Sequence, residues 1–441
     1  MSSVLHKSYI ATLFCCLLFL VYVYGVISAF FHIPPAADMR LPAINAFGHF
    51  IYLKESLTDS KNQYTSTMWF EDDSELSGAY VYNAETIQPG YTLVSKNKTA
   101  AVLIDRDGHV LHEWAYNFAD AFDESDFAVF PQQPDMLHWH RTWLYPNGDL
   151  LANHDYVNHY PYGYGLVKLD KDSNVLWKYT GTAHHDFDLD GRGNIYTLVQ
   201  ETGMVRIGNI APPYIEDFVV IIDEATGAEK HRFSLFQALK KSPYGYKFDE
   251  WTTTKHSEVT HTNAIRLITS AWADKANIPR AQTGDLLISL RDPNALVIID
   301  IETEEVLWYG EGIWKKQHDP DLLADGRVLL FDNRGLPDSP YGHSRVLEID
   351  IFTHEVYWQY RGTDQSSHFD SWIRGAQQRL PNGNTLITES QGGRLVEVSR
   401  AGEIVWEYYN PDRAEYDGRA LRGMMTQAQR ITEDVVHFLH P

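Results

Sequence analysis

A short phrase of residues returns along most of this chain, and it constrains the fold more than any other feature. Each copy begins with histidine, runs through apolar residues to a polar turn, and ends in an apolar run. Clear copies start at His140 (HRTWLYPNGDLLA), His185 (HDFDLDGRGNIYTL) and His318 (HDPDLLADGRVLLF), and a stretched copy contains His261 (THTNAIRL, then GDLLISLRD). The runs are too short for ordinary helices and rich in strand-forming residues, so each copy predicts two strands joined by a turn.

A second phrase follows most copies of the first. It predicts a hairpin in which an apolar pair, an acidic residue and a turn lead to an apolar residue and usually tryptophan, as in ALVIIDIETEEVLWY. Together the phrases make a four-stranded unit repeated about six times, which is typical of a β-propeller. The first hairpin, from Ala101, lacks a histidine phrase before it, and the last such phrase, from Thr426, lacks a hairpin after it. We therefore predict an all-β, six-bladed β-propeller over residues 91–441, closed by N- and C-terminal strands in one blade.

The N-terminal region differs from the repeats in composition. Residues 9–31 contain neither charge nor proline, and their length fits one membrane crossing, which needs roughly 20 apolar residues. We predict an uncleaved transmembrane signal anchor at 9–31, a cytoplasmic N-terminus at 1–8 and a stalk or packing segment at 32–90. The propeller would then be extracytoplasmic, either periplasmic or extracellular. The alternative is a cleaved signal peptide, but no convincing cleavage site follows the apolar core.

Charge and cysteine content exclude two classes of function. The chain has a formal net charge of −22, which argues against nucleic acid as a partner because phosphates demand basic patches. Both cysteines, Cys15 and Cys16, lie inside the predicted anchor. The propeller region therefore has no disulfide and no thiol nucleophile.

Four histidines begin equivalent inner-strand units and are the candidate catalytic residues: His140, His185, His261 and His318. The inner strands of a propeller line its central channel, so these side chains are expected to converge. A packing role does not require the same residue type in blade after blade, which favours a shared site over four separate structural hydrogen bonds. Converging imidazoles can bind a metal ion, bind an anion, or act as acid, base or nucleophile.

Basic and amide side chains close to these histidines are the candidate residues for binding a substrate or anion. They are Arg291, Arg334, Arg374, Asn263 and Asn333. Arginine at a channel mouth suits sulfate, phosphate or carboxylate through forked hydrogen bonds. Asparagine can hold an oxyanion or orient a neighbouring histidine. The alternative for each arginine is a structural salt bridge, and for each asparagine a turn.

Four stretches of the chain carry a family likeness. They are HHDFDLDGRGNIYTL, THTN with LISLRD, QHDPDLLADGRVLLFDNRG, and IRGAQQRLPNGNTLITES with GGRLVEVSRAGEIVWEYYNP. Together they resemble the arylsulfotransferase family of six-bladed propellers. The resemblance implies transfer of a sulfuryl group between phenolic compounds, with no nucleotide sulfate donor and no cofactor, so small aromatic substrates are the expected partners. It would place His261 and His318 among the histidines that bind the sulfuryl oxygens, and Arg334 as the anion-binding arginine.

One position departs from that family. The family's covalent histidine lies on a later blade, where this chain has Glu-Ser-Gln at residues 389–391. The nearest candidate, His368, lies in a predicted loop before Arg374. Sulfuryl transfer in this chain would therefore need His318 or His185 as nucleophile, or direct attack by the acceptor.

Two other interpretations stay open at the level of sequence. The same four histidines, His140, His185, His261 and His318, could hold a transition metal ion as the cofactor of a different enzyme. A membrane-tethered propeller that binds a ligand without catalysis is the third interpretation, and the missing covalent histidine favours it. Elemental analysis tests the second interpretation, and turnover of sulfate esters tests the first.

Overall fold

A computed structural model describes residues 68–127, 131, 136–157, 162–254, 258–276, 278, 280–334, 342–362, 369–416 and 418–439. The predicted cytoplasmic segment and anchor, most of the predicted stalk, and His368 lie outside these residues. Within the described residues, no helix combines the length and the apolar character that a membrane crossing requires.

Strands dominate the described chain. In chain order they are β1 Trp69–Glu71, β2 Gly78–Val81, β3 Tyr91–Lys96, β4 Ala100–Ile104, β5 Val110–Ala115, β6 Leu137–Leu144, β7 Leu150–Tyr156, β8 Gly163–Leu169, β9 Val175–Tyr179, β10 Ala183–Leu189, β11 Asn194–Gly203, β12 Tyr214–Asp223, β13 Glu229–Ser234, β14 Thr262–Leu267, β15 Leu286–Leu290, β16 Ala295–Ile299, β17 Val306–Glu311, β18 His318–Leu322, β19 Val328–Asp332, β20 Arg345–Ile349, β21 Val356–Tyr360, β22 Ala376–Arg379, β23 Thr385–Glu389, β24 Arg394–Val398, β25 Ile404–Tyr409, β26 Arg413–Tyr416, β27 Arg419–Gly423 and β28 Met425–Ile431. The helices are short: α1 Phe118–Ala121, α2 Leu235–Lys241, α3 Gly245–Thr254 and α4 Ser270–Ala273, with 3-10 turns at Glu433–Val435 and His437–Leu439. This content confirms the predicted all-β fold.

The strands pair into antiparallel sheets in the order of the chain. β6–β9, β10–β13, β14–β17 and β18–β21 each form a four-stranded sheet. β22–β25 form another, to which β2 adds a fifth strand beside β25. The phrases that begin at His140, His185 and His318 each supply the first two strands of a sheet, joined by a tight turn, and the hairpin phrases supply the last two. In the stretched copy with His261, a longer connection that contains α4 joins β14 to β15, and the phrase from Thr426 supplies one strand, β28.

The last strand of the chain completes the first sheet. β28 pairs antiparallel with β3, with Gln427 opposite Ser95 and Ile431 opposite Tyr91, and the sheet continues through β4 and β5. A separate three-stranded sheet has the order β1-β27-β26. β1 and β2 belong to the segment predicted as a stalk, so from residue 69 that segment takes part in the sheets.

Tryptophans on the outer strands tie neighbouring sheets together. The indole N–H of Trp114 in β5 donates to the carbonyl of Gly148, in the turn between β6 and β7, at 2.9 Å. Trp406 in β25 donates in the same way to the carbonyl of Arg106, between β4 and β5, at 2.8 Å. Two further tryptophans make the equivalent contact between other sheets. A buried indole needs such an acceptor, which explains why the hairpin phrase repeats tryptophan rather than a purely apolar residue.

Candidate active site at the inner strands

The first strand of most sheets is interrupted by a β-bulge near the predicted histidines. Register shifts follow Trp139 in β6, His184 in β10, Thr262 in β14, His318 in β18 and Met425 in β28. A bulge leaves a residue outside the regular pairing and re-aims its side chain. The repeated phrase therefore produces the same local irregularity in one sheet after another.

The bulged residues face a common small cavity of about 20 Å³. Each of the six large sheets contributes to its wall through its first strand or the residue before it. The lining consists of His140, Arg141, His185, Asp186, Asn263, His318, Asp319, Gly375, Ala376, Thr426 and Gln427. Three of the four predicted histidines and one of the predicted asparagines thus share one cavity.

The fourth histidine, His261, adjoins this cavity through its neighbours. Its ring centroid lies 5.3 Å from that of His185, which lies 5.0 Å from that of His140. The ring of Tyr162 packs against both His185, at 5.6 Å, and His261, at 5.2 Å. Three imidazoles and a phenol ring therefore form one continuous cluster of rings beside the cavity.

Several residues at this site have a strained backbone. His185, His261, Asp319 and Arg374 have φ angles of 55°, 43°, 49° and 61°, in the left-handed region that residues other than glycine rarely adopt. Such conformations persist only where the surrounding structure holds them, and they cluster at functional sites.

Carboxylates hold two of the four histidines at Nδ1. Nδ1 of His140 lies 2.8 Å from Oδ2 of Asp155, and Nδ1 of His261 lies 3.0 Å from Oε1 of Glu258. Burial acts to raise the pKa of Asp155, but its hydrogen bond to His140 and the nearby histidines lower that pKa to about 2. A carboxylate at Nδ1 fixes the ring and its tautomer and leaves Nε2 to exchange protons, which is the arrangement that acid–base catalysis uses.

His185 is buried as a neutral base. Burial, and then the neighbouring histidines beginning with His184, hold the pKa of His185 well below its ordinary value. Its Nδ1 lies 2.7 Å from Nδ1 of His184, so one ring donates and the other accepts. Within the described residues its Nε2 makes no hydrogen bond, and the side chain lines the cavity. A neutral imidazole with a lone pair facing a cavity is suited to nucleophilic attack.

His318 and Asn333 together fix the backbone of Arg374. Asn333 Oδ1 accepts a hydrogen bond from His318 Nδ1 at 2.7 Å, and His318 Nε2 accepts one from the Arg374 N–H at 3.3 Å. The Asn333 side-chain amide also donates to the Arg374 carbonyl. Burial, and then the charge of Arg291, hold the pKa of His318 well below its ordinary value. This geometry favours a positioning role for both side chains.

The Arg374 guanidinium has no carboxylate within ion-pair distance among the described residues. Its Nη1 lies instead 2.7 Å from the sulfur of Met68 and 2.9 Å from that of Met424. Burial lowers the pKa of Arg374 to about 10, against the opposing effects of Asp155 and Tyr162. The group is still charged at neutral pH, and a buried charge without a counterion is costly. An anionic ligand would supply the counterion.

The remaining predicted anion-binding residues have partners within the protein. Nε of Arg334 lies 3.5 Å from Oδ2 of Asp332, and Nη1 of Arg291 lies 3.0 Å from the carboxylate of the next residue. Neither side chain is in the cavity wall formed by the described residues. Asn263 is in that wall; its Nδ2 donates to the Gln317 carbonyl at 2.8 Å, and its buried Oδ1 has no hydrogen-bond partner among the described residues.

Acidic residues that follow the histidines belong to an ion-pair network, which the sequence analysis missed. Arg266 pairs with Asp186, Asp319 and Asp321, and Arg141 lies 3.1 Å from Asp186 and 3.5 Å from Asp319. Burial, and then the charge of Asp319, raise the pKa of Asp321 above its ordinary value. The signal was the repeated HD-x-D spacing after His185 and His318, which bulged strands turn toward a common centre.

The stretch that corresponds to the family's covalent histidine makes structural contacts. Glu389 Oε2 lies 3.2 Å from Nη1 of Arg394, and its Oε1 accepts the Asp370 N–H at 3.0 Å. Gln391 Oε1 accepts the Ile373 N–H at 3.2 Å. These residues are engaged with the protein rather than presented to a substrate.

His138 and Asp155 were also missed by the sequence analysis. The pairing of β6 with β7 places them directly opposite each other. His138 is fully buried, its ring centroid lies 6.1 Å from that of His140, and neither of its ring nitrogens has a hydrogen-bond partner among the described residues. Burial, and then the charge of Arg374, hold the pKa of His138 well below its ordinary value. The available signal was the HWH spacing, because residues i and i+2 of a strand share a face.

Comparison with known proteins identifies a family. A family model described as arylsulfotransferase (ASST) matches residues 142–411, while no curated protein matches the chain. Similar solved structures include a protein of unknown function from Bacteroides caccae, at 12% identity and a TM-score of 0.47, covering 77% of this chain and 98% of that one. Streptogramin B lyase matches at 12% identity and a TM-score of 0.41 over 81% and 93% of the two chains, and the WD40 β-propeller domain of Doa1 at 10% and 0.41 over 83% and 96%. Because the family model spans more than half of the sequence, the resemblance found in the repeats is confirmed, and the chain belongs to the arylsulfotransferase (ASST) family.

Proposed function

We propose that this chain transfers a sulfuryl group from an aryl sulfate ester to a second phenol, with no nucleotide sulfate donor, in the cavity at the inner strands. Family membership supports this class of reaction. The observation that carries the site assignment is the partly buried Arg374 guanidinium, which has no carboxylate partner among the described residues. The Arg374 backbone N–H donates to His318, and the next residue, Gly375, lines the cavity. A sulfate monoester brings a negative charge and several acceptor oxygens, which a guanidinium binds through forked hydrogen bonds.

The proposed roles follow from the hydrogen bonds of each histidine. His185 Nε2 attacks sulfur as the S–O bond to the donor phenol breaks, because its lone pair faces the cavity while that of His318 is occupied by the Arg374 N–H. The departing phenolate takes a proton from His261, which Glu258 orients. The acceptor phenol then attacks the N-sulfated His185 and returns its proton to His261. Arg374 stabilises the charge that spreads over the sulfuryl oxygens.

The test is release of a chromogenic phenol from an aryl sulfate in the presence of a phenolic acceptor. We expect Arg374→Gln to lower kcat/KM at least about 100-fold, the usual cost of removing a donor that stabilises a transition state. Arg334→Gln is the matched control, because Nε of Arg334 lies 3.5 Å from the Asp332 carboxylate, whereas Arg374 has no carboxylate within ion-pair distance among the described residues. Equal losses in both variants, or an inactive wild type with every aryl sulfate tried, would contradict the proposal.

We extend the proposal to the number of blades and to the membrane anchor. We take the six large sheets as the blades of a six-bladed propeller around the cavity. We also propose that residues 9–31 anchor the chain in a membrane, with the propeller outside the cytoplasm. The protein should then resist carbonate extraction and keep residues 1–31 in its mature form; recovery of a soluble chain that lacks them would refute the anchor.

A further inference from the structure

Three side chains on β6 and β7 bring potential ligand atoms to within 4.8 Å of one another: His138, His140 and Asp155. The strand register sets Asp155 opposite His138. The bulge after Trp139 then turns His140 back toward the same carboxylate, so that its Nδ1 lies 2.8 Å from Asp155 Oδ2. A paired strand and a bulge thus place two imidazoles and a carboxylate around one point.

His138 is the residue that packing alone does not explain. Its side chain is fully buried, and both ring nitrogens lack a hydrogen-bond partner among the described residues. The Met136 carbonyl, which accepts the Val157 N–H at 3.2 Å, is close enough to raise the pKa of His138, but it does not meet hydrogen-bond geometry with the His138 ring. A buried polar group left unsatisfied costs about 1–3 kcal/mol, so such groups are rare unless a ligand completes them.

Hydrogen bonds fix the orientation of the Asp155 carboxylate, as they do for carboxylates that bind metal ions. Its Oδ1 accepts the Asn153 side-chain amide at 3.2 Å and the His185 N–H at 3.1 Å. Oδ2 faces His140 Nδ1 at 2.8 Å and also accepts the His185 N–H at 3.3 Å. Hydrogen bonds that orient a ligating carboxylate are a regular feature of metal sites, where their loss weakens metal binding.

We infer that His138, His140 and Asp155 form a binding site for a divalent transition metal ion of the zinc class. Two imidazoles and one carboxylate suit zinc or iron, whereas calcium and magnesium prefer oxygen ligands alone. Three protein ligands leave a coordination position open, and His140 lies in the cavity wall. The ligand set differs from the four histidines considered in the sequence analysis, because of those only His140 belongs to it.

The ionised Asp155 carboxylate makes a cation acceptable at this place. Asp155 is the acidic member of this group, and its Oδ2 lies 2.8 Å from His140 Nδ1, so it places negative charge where the ion would bind. With the ion bound, His140 would be a ligand, and His261 would remain to carry protons. The inference does not depend on sulfuryl transfer, because metal uptake is measured with no substrate present.

The experiment is a zinc titration of the purified full-length chain after removal of metals with a chelator. We expect the wild type to take up one tight equivalent of zinc, and His138→Gln and His140→Gln each to weaken that binding at least about 10-fold. The matched control is His109→Gln, because Asp105, Asp107 and His109 form an exposed group whose ligand atoms also lie within 4.8 Å. That variant should keep the tight equivalent.

Thermal unfolding in the presence and absence of zinc separates metal binding from folding. Zinc should raise the Tm of the wild type and of His109→Gln but leave the Tm of a folded His138→Gln or His140→Gln variant unchanged. His140 retains some exposure and offers a substitution less disruptive than that of the fully buried His138. No zinc uptake by the wild type, or loss of uptake in His109→Gln with retention in the other two, would overturn the inference whether or not the protein transfers sulfuryl groups.

Discussion

Replacing Arg374 by methionine should stabilise the protein while abolishing its activity. The guanidinium is held among Met68 and Met424 with no carboxylate partner among the described residues, so the fold bears the cost of a buried charge. A methionine has a similar length and matches the sulfur-rich surroundings. Residues kept for binding at the expense of stability are the ones whose removal should raise the free energy of unfolding.

The magnitude follows from the pKa of Arg374, which burial lowers from the ordinary arginine value to about 10. At 1.36 kcal/mol for each pKa unit, the charged form is disfavoured by about 3 kcal/mol relative to water. The substitution removes that cost and loses two weak contacts to sulfur. We expect the free energy of unfolding to rise by about 1–3 kcal/mol, within the range found when buried charges are replaced by apolar side chains.

The assay is urea unfolding in buffer free of sulfate and phosphate, beside the phenol-release assay. Added sulfate should stabilise the wild type and have no effect on Arg374→Met, because only the native wild type binds the anion. Arg266→Met is the matched control: this arginine is also buried, but it pairs with Asp186 and Asp319. Its loss should destabilise the protein by about 3–5 kcal/mol, since buried carboxylates are left without their partner.

A fall in the free energy of unfolding for Arg374→Met comparable to that of Arg266→Met would refute the reasoning. It would mean that the guanidinium is a structural element with compensation inside the fold. Stabilisation with full activity would leave the charge analysis standing but would remove Arg374 from the anion site.

Three shorter predictions concern the hydrogen bond between Asn333 and His318, the tryptophan contacts between sheets, and the pH dependence of stability. Asn333→Leu should lower kcat about 10-fold or more. Asn333→Asp should lose less activity, because an aspartate can still accept the hydrogen bond from His318 Nδ1. Equal kcat values for the two variants would exclude a role for Asn333 in positioning His318. Trp406→Phe should cost about 1–3 kcal/mol in urea unfolding, because the Arg106 carbonyl loses its donor. Because the pKa of His185 is well below its unfolded value, the unfolded state binds a proton first as pH falls below about 6.5, and stability drops by up to about 1.4 kcal/mol per pH unit. The free energy of unfolding of His185→Gln should depend less on pH than that of the wild type. If it falls by the same amount in both proteins between pH 6.5 and 5, the pKa of His185 is not lowered.

The elements of the fold were predictable because their signals are local. Strand-forming runs, glycine turns and the recurring tryptophan lie within a few residues of one another, and each acts through the neighbouring strand or turn. Pairing of β28 with β3 could be anticipated from the unmatched phrases at Ala101 and Thr426. The number of blades and the anchor at residues 9–31 stay predictions.

The candidate site was predictable in part. The inner-strand phrase directed attention to His140, His185 and His318, which line one cavity, and their catalytic role stays a prediction. It could not distinguish Arg374 from Arg334, because the difference lies in which carboxylates fold around each guanidinium.

The sequence by itself determined the strand content, the repeat and the family, since these depend on residue type and spacing along the chain. Only the tertiary structure decided that His138 meets Asp155 and that Arg374 is partly buried without a carboxylate partner among the described residues. The physical reason is that strand register, bulges and burial are set by contacts between residues far apart in the chain. A shift of one residue in register would turn these side chains to the other face of the sheet.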